Sequence, residues 1–273
     1  MEPFLFHAGT SPLLVSMPHI GTHIPLRLAE NMTAAALELP DTDWHVDRLY
    51  DFLPALGASV LRATYSRYVI DLNRSPDGEA LYASARNTEL CPTSLFDDRP
   101  IYRQPDQAPN AAAIADRRAL FGQPYHNRLA AELAAIKARH GYALLFDAHS
   151  IRSHVPRFFE GRLWDINLGT GDGIAASPAI AEAVTAAARG AAGYSSILNG
   201  RFKGGYITRH YGRPAERIEA VQLELSQIVY MEEEPPFHFR DDLAAQIRPS
   251  LRRILEAMLA AGAKQHRGAA ATV

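Results

Sequence analysis

Histidines, carboxylates and arginines gather at the ends of short apolar runs in this 273-residue chain. In LLVSMPHIGTHIP, His19 follows directly on such a run, with Pro18 before it and Gly21 after it to allow a tight turn. YALLFDAHSIRS places Asp147, His149, Ser150 and Arg152 just beyond another. In EAVQLELSQ, Gln222, Glu224 and Ser226 alternate with Val221, Leu223 and Leu225, so the polar side chains share one face of a strand. Imidazole and carboxylate are ligands that zinc accepts, and a catalytic zinc takes three protein ligands plus a water. His19 and His149 supply two. DTDWHVDRLYDF offers the third: read as a short helix, it puts Asp43 and Asp47 four apart on one side, with Trp44, Val46 and Leu49 to pack it. Asp47 is the expected acidic ligand and Asp43 the alternative, while His45 points elsewhere on such a helix. Glu224 stands apart, because a carboxylate inside an apolar strand is costly to bury unless it is paired or put to use.

Arginines form a second constellation. Arg74 ends YVIDLNRSPDG, Arg152 lies just past His149, and Lys203 with Arg209 sits in GRFKGGYITRHYG, where Gly204 and Gly205 let the backbone approach a ligand. An arginine fork binds carboxylate through two parallel hydrogen bonds. Asp71 and Asn73 alternate in IDLNR, which therefore reads as a strand end presenting side chains. Taken singly, each of these residues also has a plain structural reading: a hydrogen-bonded strand-end histidine, a helix cap, a surface charge.

The elements that must position these groups are legible from periodicity. Apolar runs at Leu13–Met17, Ser59–Ala63, 68–72, 142–146, 164–168 and 220–225 predict buried strands, and alanine-rich stretches at 111–140, Pro178–Arg189 and 241–261 predict helices. The alternation argues for an α/β sheet covered by helices. Residues 83–110, with Pro92, Pro100, Pro105 and Pro109, predict a long ordered excursion over the sheet. Residues 1–263 are expected to form one catalytic domain and 264–273 a flexible tail.

Composition removes several classes of function. A net charge of −2, from 28 basic and 30 acidic side chains, lacks the basic excess that nucleic-acid binding needs. Cys91, the single cysteine, rules out an internal disulfide and a cysteine zinc cluster, and fits the cytoplasm. No apolar stretch is long enough to predict a membrane span. NLGTGDG, beginning at Asn167, lacks the spacing of a dinucleotide fingerprint, and no GxSxG elbow occurs.

Taken together, SMPHIGTHIP, DTDWHVDRLYDF, YSRYVIDLNRSPDG, LCPTSLFDDRPIY, LLFDAHSIRS, INLGTG, GRFKGGYITRHYG and VQLELSQIVYM resemble the N-formylglutamate amidohydrolase (N-formylglutamate deformylase) family of histidine degradation. The resemblance implies a central mixed β-sheet flanked by helices, similar to the zinc-carboxypeptidase-like (phosphorylase/hydrolase-like) fold. It implies one divalent metal, zinc, held by His19, His149 and an acidic residue. The carboxypeptidases carry that residue three positions after the first histidine, where this chain has Thr22, so Asp47 is expected instead, with Asp43 or Glu224 itself as alternatives. Glu224 resembles the catalytic glutamate. Asn73, Arg74, Arg152, Asn167, Lys203 and Arg209 are expected to bind a small dicarboxylate substrate, N-formyl-L-glutamate, which is hydrolysed to formate and L-glutamate. Two other readings are open: a zinc amidohydrolase acting on another N-acyl amino acid, and a non-catalytic binder of acidic metabolites.

Overall fold

The computed structural model describes residues 1–78 and 88–267. Residues 83–87 of the expected excursion and 268–273 of the expected tail lie outside the described residues. Among the described residues seven strands form one mixed sheet: β1 Phe4–His7, β2 Leu13–Met17, β3 Ser59–Ala63, β4 Ala143–Ile151, β5 Ile166–Gly169, β6 Ser196–Leu198 and β7 Ile218–Ser226. Their order is β1-β3-β2-β4-β7-β5-β6. The central strands β3, β2, β4 and β7 are mutually parallel, whereas β1 and β5 run antiparallel to their neighbours β3 and β7.

Parallel strands are covered on both faces and so read as continuous apolar runs. All five residues of β2 and all nine of β4 are buried. The helices are α1 Leu26–Ala29, α2 Ala34–Leu37, α3 Val46–Leu49, α4 Ala111–Arg117, α5 Gln123–His140, α6 Pro178–Arg189, α7 Tyr206–Tyr211 and α8 Asp241–Arg267. One face of the sheet packs α5 and α7 through Tyr125, Leu129, Leu133 and Ile207; the other packs α3, α6 and α8 through Leu49, Ile180, Val184, Leu251 and Ile254. Gly141, at φ 80°, closes α5 in the left-handed conformation that glycine adopts at little cost and turns the chain into β4.

The structure departs from the expected elements in four places. Residues 68–72 are buried but form no strand. Their backbone is drawn into local bonds instead: Asn73 N donates to Asp71 Oδ1 at 2.9 Å and Tyr68 N to Ser66 Oγ at 3.2 Å, the side-chain capture by which Asp and Ser compete with a ladder. The expected helix over 111–140 is interrupted by a π-helical turn at Arg118–Gly122. Strands β1 and β6, four and three residues long, were not expected. Finally, α8 continues through Arg267, so the first four residues of the expected tail are helical.

Candidate active site

Parallel alignment brings the carboxyl ends of β2, β4 and β7 to one edge, where ligands of open α/β sheets are bound. Register then selects what meets there. Asp147 on β4 stands opposite Ser16 on β2 and Gln222 on β7; two residues on, His149 stands opposite Glu224, which in turn faces Asn167 on β5. His19 follows β2 and is 4% exposed; its ring centre lies 4.8 Å from that of His149.

Asp43, not Asp47, completes this cluster. Asp43 Oδ2 is 2.9 Å from His149 Nδ1 and 3.7 Å from His19 Nδ1, and one ligand atom from each of the three residues lies within 4.8 Å of the others. The helix expected to put both aspartates on one side starts only at Val46, because His45 takes a left-handed conformation at φ 61°. Asp43 precedes that break, tied by its N–H to the His19 carbonyl at 3.1 Å. Asp47 follows it and points outward to Arg62 at 3.4 Å, with a side chain 41% exposed. His45 is directed away, its Nε2 lying 2.7 Å from the Phe237 carbonyl.

Two further carboxylates hold the far sides of the rings. Asp71 Oδ1 lies 2.6 Å from His19 Nε2, and Asp147 Oδ2 lies 2.9 Å from His149 Nε2. A carboxylate on the outer nitrogen fixes the tautomer and aims the inner lone pair, the usual arrangement around a metal-ligating histidine. Each carboxylate is itself held in place. Arg67 donates to Asp71 at 2.7 Å, Ser16 to Asp147 at 2.9 Å, and Asn73 Nδ2 to Asp147 at 3.3 Å.

The electrostatics fit a cation at this point. Burial and the Arg67 guanidinium hold His19 below its ordinary pKa, against Asp71 and Asp43. His149 goes the other way: burial opposes its charge, but Asp147 and Asp43 on its two nitrogens outweigh burial and raise its pKa well above the usual value. For Asp71 burial is likewise overcome, here by His19, Arg67 and Arg74, so its pKa lies well below the carboxylate range. For Glu224 the relief is not enough. Burial pushes its pKa up to about 8, with Asp43 and Asp147 adding to the rise and His149 and Arg67 opposing it. Asp43 and Asp71 are paired with Arg67, while Asp147 and Glu224 are buried nearby, and inner imidazole lone pairs aimed at a carboxylate need a proton or a cation between them. Two imidazoles and a carboxylate are a donor set that suits zinc.

His19, His149 and Glu224 line one cavity with Arg67, Asn73, Arg74, Phe96, Ile151, Phe158, Arg201, Phe202, Gly205 and Gln222. Of the expected substrate-binding residues, Asn73 and Arg74 are in this lining, and Arg152, Asn167, Lys203 and Arg209 are not. Arg152 turns to buried Asp41 at 3.3 Å, Lys203 to Asp172 at 3.1 Å, and Arg209 Nε to the Gly204 carbonyl at 2.9 Å. Asn167 braces the strand pair, donating to the Trp164 and Glu224 carbonyls at 2.7 and 3.1 Å. Arg67 and Arg201 were missed by sequence reasoning. Arg67 had one faint signal, its i,i+4 spacing to Asp71; Arg201 had none.

A profile of the N-formylglutamate amidohydrolase family matches residues 11–231 of the chain. An N-formylglutamate deformylase of Pseudomonas aeruginosa is 52% identical over 265 residues, covering 97% of this chain and 99% of that protein. One from Pseudomonas putida is 49% identical, with 96% and 97% covered. Among solved structures, N-formylglutamate amidohydrolase from Ralstonia eutropha JMP134 superposes with a TM-score of 0.78 at 27% identity, over 98% of this chain and 100% of that one.

Proposed function

The chain belongs to the N-formylglutamate amidohydrolase family, and from that premise we propose that it hydrolyses N-formyl-L-glutamate to formate and L-glutamate with one divalent metal. The observation that carries the reading is the meeting of Glu224 with His19 and His149 in one cavity, beside Asp43. A simple binder of acidic metabolites needs arginines but neither this ligand triad nor a buried base.

His19 Nδ1, His149 Nδ1 and an Asp43 oxygen would hold the metal, with zinc preferred for this donor set. Bound there, a divalent ion supplies Lewis acidity, lowering the pKa of water toward 7 and polarising a carbonyl. The protein's own residues do the rest. Glu224 takes a proton from the water as its oxygen bonds to the formyl carbon, then passes that proton to the nitrogen as the C–N bond breaks. In the metal-free protein burial raises the Glu224 pKa, which makes its carboxylate the stronger proton acceptor. Asp71 and Asp147 keep each ring in one tautomer throughout. Arg67, buried and clamped by Asp71, presents a fixed positive charge to the oxygen that becomes anionic. Arg74 and Asn73 bind the carboxylate next to the scissile amide.

Histidine breakdown in the cytoplasm is the setting we propose, on the family resemblance and the lone buried thiol of Cys91. Among the described residues no helix is long and apolar enough to cross a membrane. The test is formate release from N-formyl-L-glutamate by purified protein, after chelation and after zinc is restored, beside N-acetyl-L-glutamate. Chelator-sensitive, zinc-restored release selective for the formyl compound is expected. No release from zinc-replete protein would sink the reading.

A further inference from the structure

The cavity lining has two unlike sides, one with two arginines and one with a single arginine, which meet where the Arg67 guanidinium carbon lies 4.7 Å from the centre of the Phe96 ring. Arg67 and Arg74 belong with the segment that also carries Asp71 and Asn73, the residues that touch His19 and His149. That side is polar, and its cations are anchored there: Arg67 on Asp71 at 2.7 Å, Arg74 Nε on Thr88 at 2.9 Å. The other side is the apolar cluster of Phe96, Ile151, Phe158 and Phe202, and Arg201 is the cation at its Phe158 and Phe202. The Arg201 guanidinium carbon lies 5.9 Å from the centre of the Phe158 ring and 5.7 Å from that of Phe202, and its Nε donates to the Phe158 carbonyl.

We propose that Arg201, in its phenylalanine surround, binds the distal carboxylate of the substrate and so selects a dicarboxylic N-formyl amino acid over a neutral one. This rests on the deformylase reading above and assigns a residue within it. In a formylated glutamate the α-carboxylate is next to the scissile nitrogen and falls to the polar side, while two methylene groups separate it from the second carboxylate. Methylenes match a wall of phenylalanine rings, and a carboxylate beyond them needs a cation on that wall. Arg201 is the cation the structure places there.

The loop that carries Arg201 is held at both ends. Before it, the Asn199 side chain accepts from Thr170 N at 2.9 Å; after it, Gly205 N donates to Gln222 Oε1 at 2.7 Å. A Cβ on Gly205 would stand 2.3 Å from Asn73 Nδ2, so the backbone lies directly against the Asn73 side chain. Arg201 is therefore presented from a fixed position, and pairing guanidinium with carboxylate gives geometric selectivity as well as affinity.

The experiment compares kcat/KM for N-formyl-L-glutamate and its neutral isostere N-formyl-L-glutamine in wild type, Arg201→Gln and Arg201→Lys, all zinc-loaded and checked for unchanged Tm. Arg201→Gln should lose about 100-fold on the acid, chiefly through KM, and change little on the amide, with Arg201→Lys recovering part of the loss. A ratio of the two substrates unaltered in Arg201→Gln would overturn the proposal. That holds whether both activities survive or both fall equally; the second case would mark Arg201 as a support for Phe158. Binding of L-glutamate against L-glutamine, measured in parallel, separates the two readings. If wild type releases no formate, the deformylase reading fails, and a preference for L-glutamate that disappears in Arg201→Gln would still uphold the assignment. A preference that persists would end it.

Discussion

The two sides of the cavity are built by different means. The polar side is anchored on the sheet: His149 and Glu224 are register partners on adjacent parallel strands, and His19, Asp43 and Asp71, from segments just beyond strand ends or in connections, close on them so that every ring nitrogen of the two histidines faces a carboxylate. Apart from Ile151 at the end of β4, the aromatic side hangs from connections. Phe96 comes from the excursion before α4, Phe158 from the segment after β4, and Arg201 and Phe202 from the turn after β6. His149 and Glu224 sit on strands, and His19, Asp43 and Asp71 are tied to them by hydrogen bonds and close contacts, whereas the aromatic lining sits mostly on loops, where sequence can change without disturbing the sheet.

If this division is right, damage to the strand side should abolish chemistry and damage to the loop side should redistribute affinity. The largest effect is expected from Glu224→Gln: kcat falls about 1,000-fold or more while bound zinc stays at the wild-type level, read by formate release and metal analysis. Turnover within tenfold of wild type would remove Glu224 as the base. Next comes Asp147→Asn, which leaves His149 its ligand nitrogen but replaces the carboxylate on Nε2 at 2.9 Å. Zinc affinity should drop about 10–100-fold, and a competition titration showing no change would mean the outer carboxylate does not tune the ligand.

A smaller effect concerns pH and stability. The Glu224 carboxyl is raised from an ordinary 4.5 to about 8 in the folded protein, so below 4.5 it is neutral in both states, and between the two values only the folded state holds the proton. Stability from this group is therefore full below 4.5 and lost as pH rises through about 8. In chelated protein, Glu224→Gln should have a Tm close to wild type at pH 5 and several degrees higher at pH 9, since glutamine carries no buried charge. A Tm difference that stays constant from pH 5 to 9 would contradict this.

How much of this was legible in the sequence follows the same division. The strand side could be read: two histidines and a glutamate at the ends of apolar runs in an α/β sheet, whose parallel pairing of β2, β4 and β7 then brings them together. Alternation in β4 also put Asp147 on the His149 face, although its hold on Nε2 became apparent only with the register. Asp43 and Asp47 could not be separated, because periodicity cannot anticipate one left-handed residue, His45, which ends the shared face. Residues 68–72 misled for a related reason: their apolar pattern reports burial, while the backbone obeys Asp71 and Ser66. The loop side was nearly illegible. Arg152, Lys203, Arg209 and Arg201 look alike as letters, and only the fold shows that the first three turn to Asp41, Asp172 and Gly204 while Arg201 meets the cavity.

The most direct test of the account is zinc bound per chain in wild type, Asp43→Asn and Asp47→Asn after dialysis against zinc-buffered solution. Asp43 is buried at the two histidines, and Asp47 is exposed beside Arg62. One zinc per chain is predicted for wild type and Asp47→Asn, with loss of most of it in Asp43→Asn. Retention by Asp43→Asn with loss from Asp47→Asn would contradict the site described here.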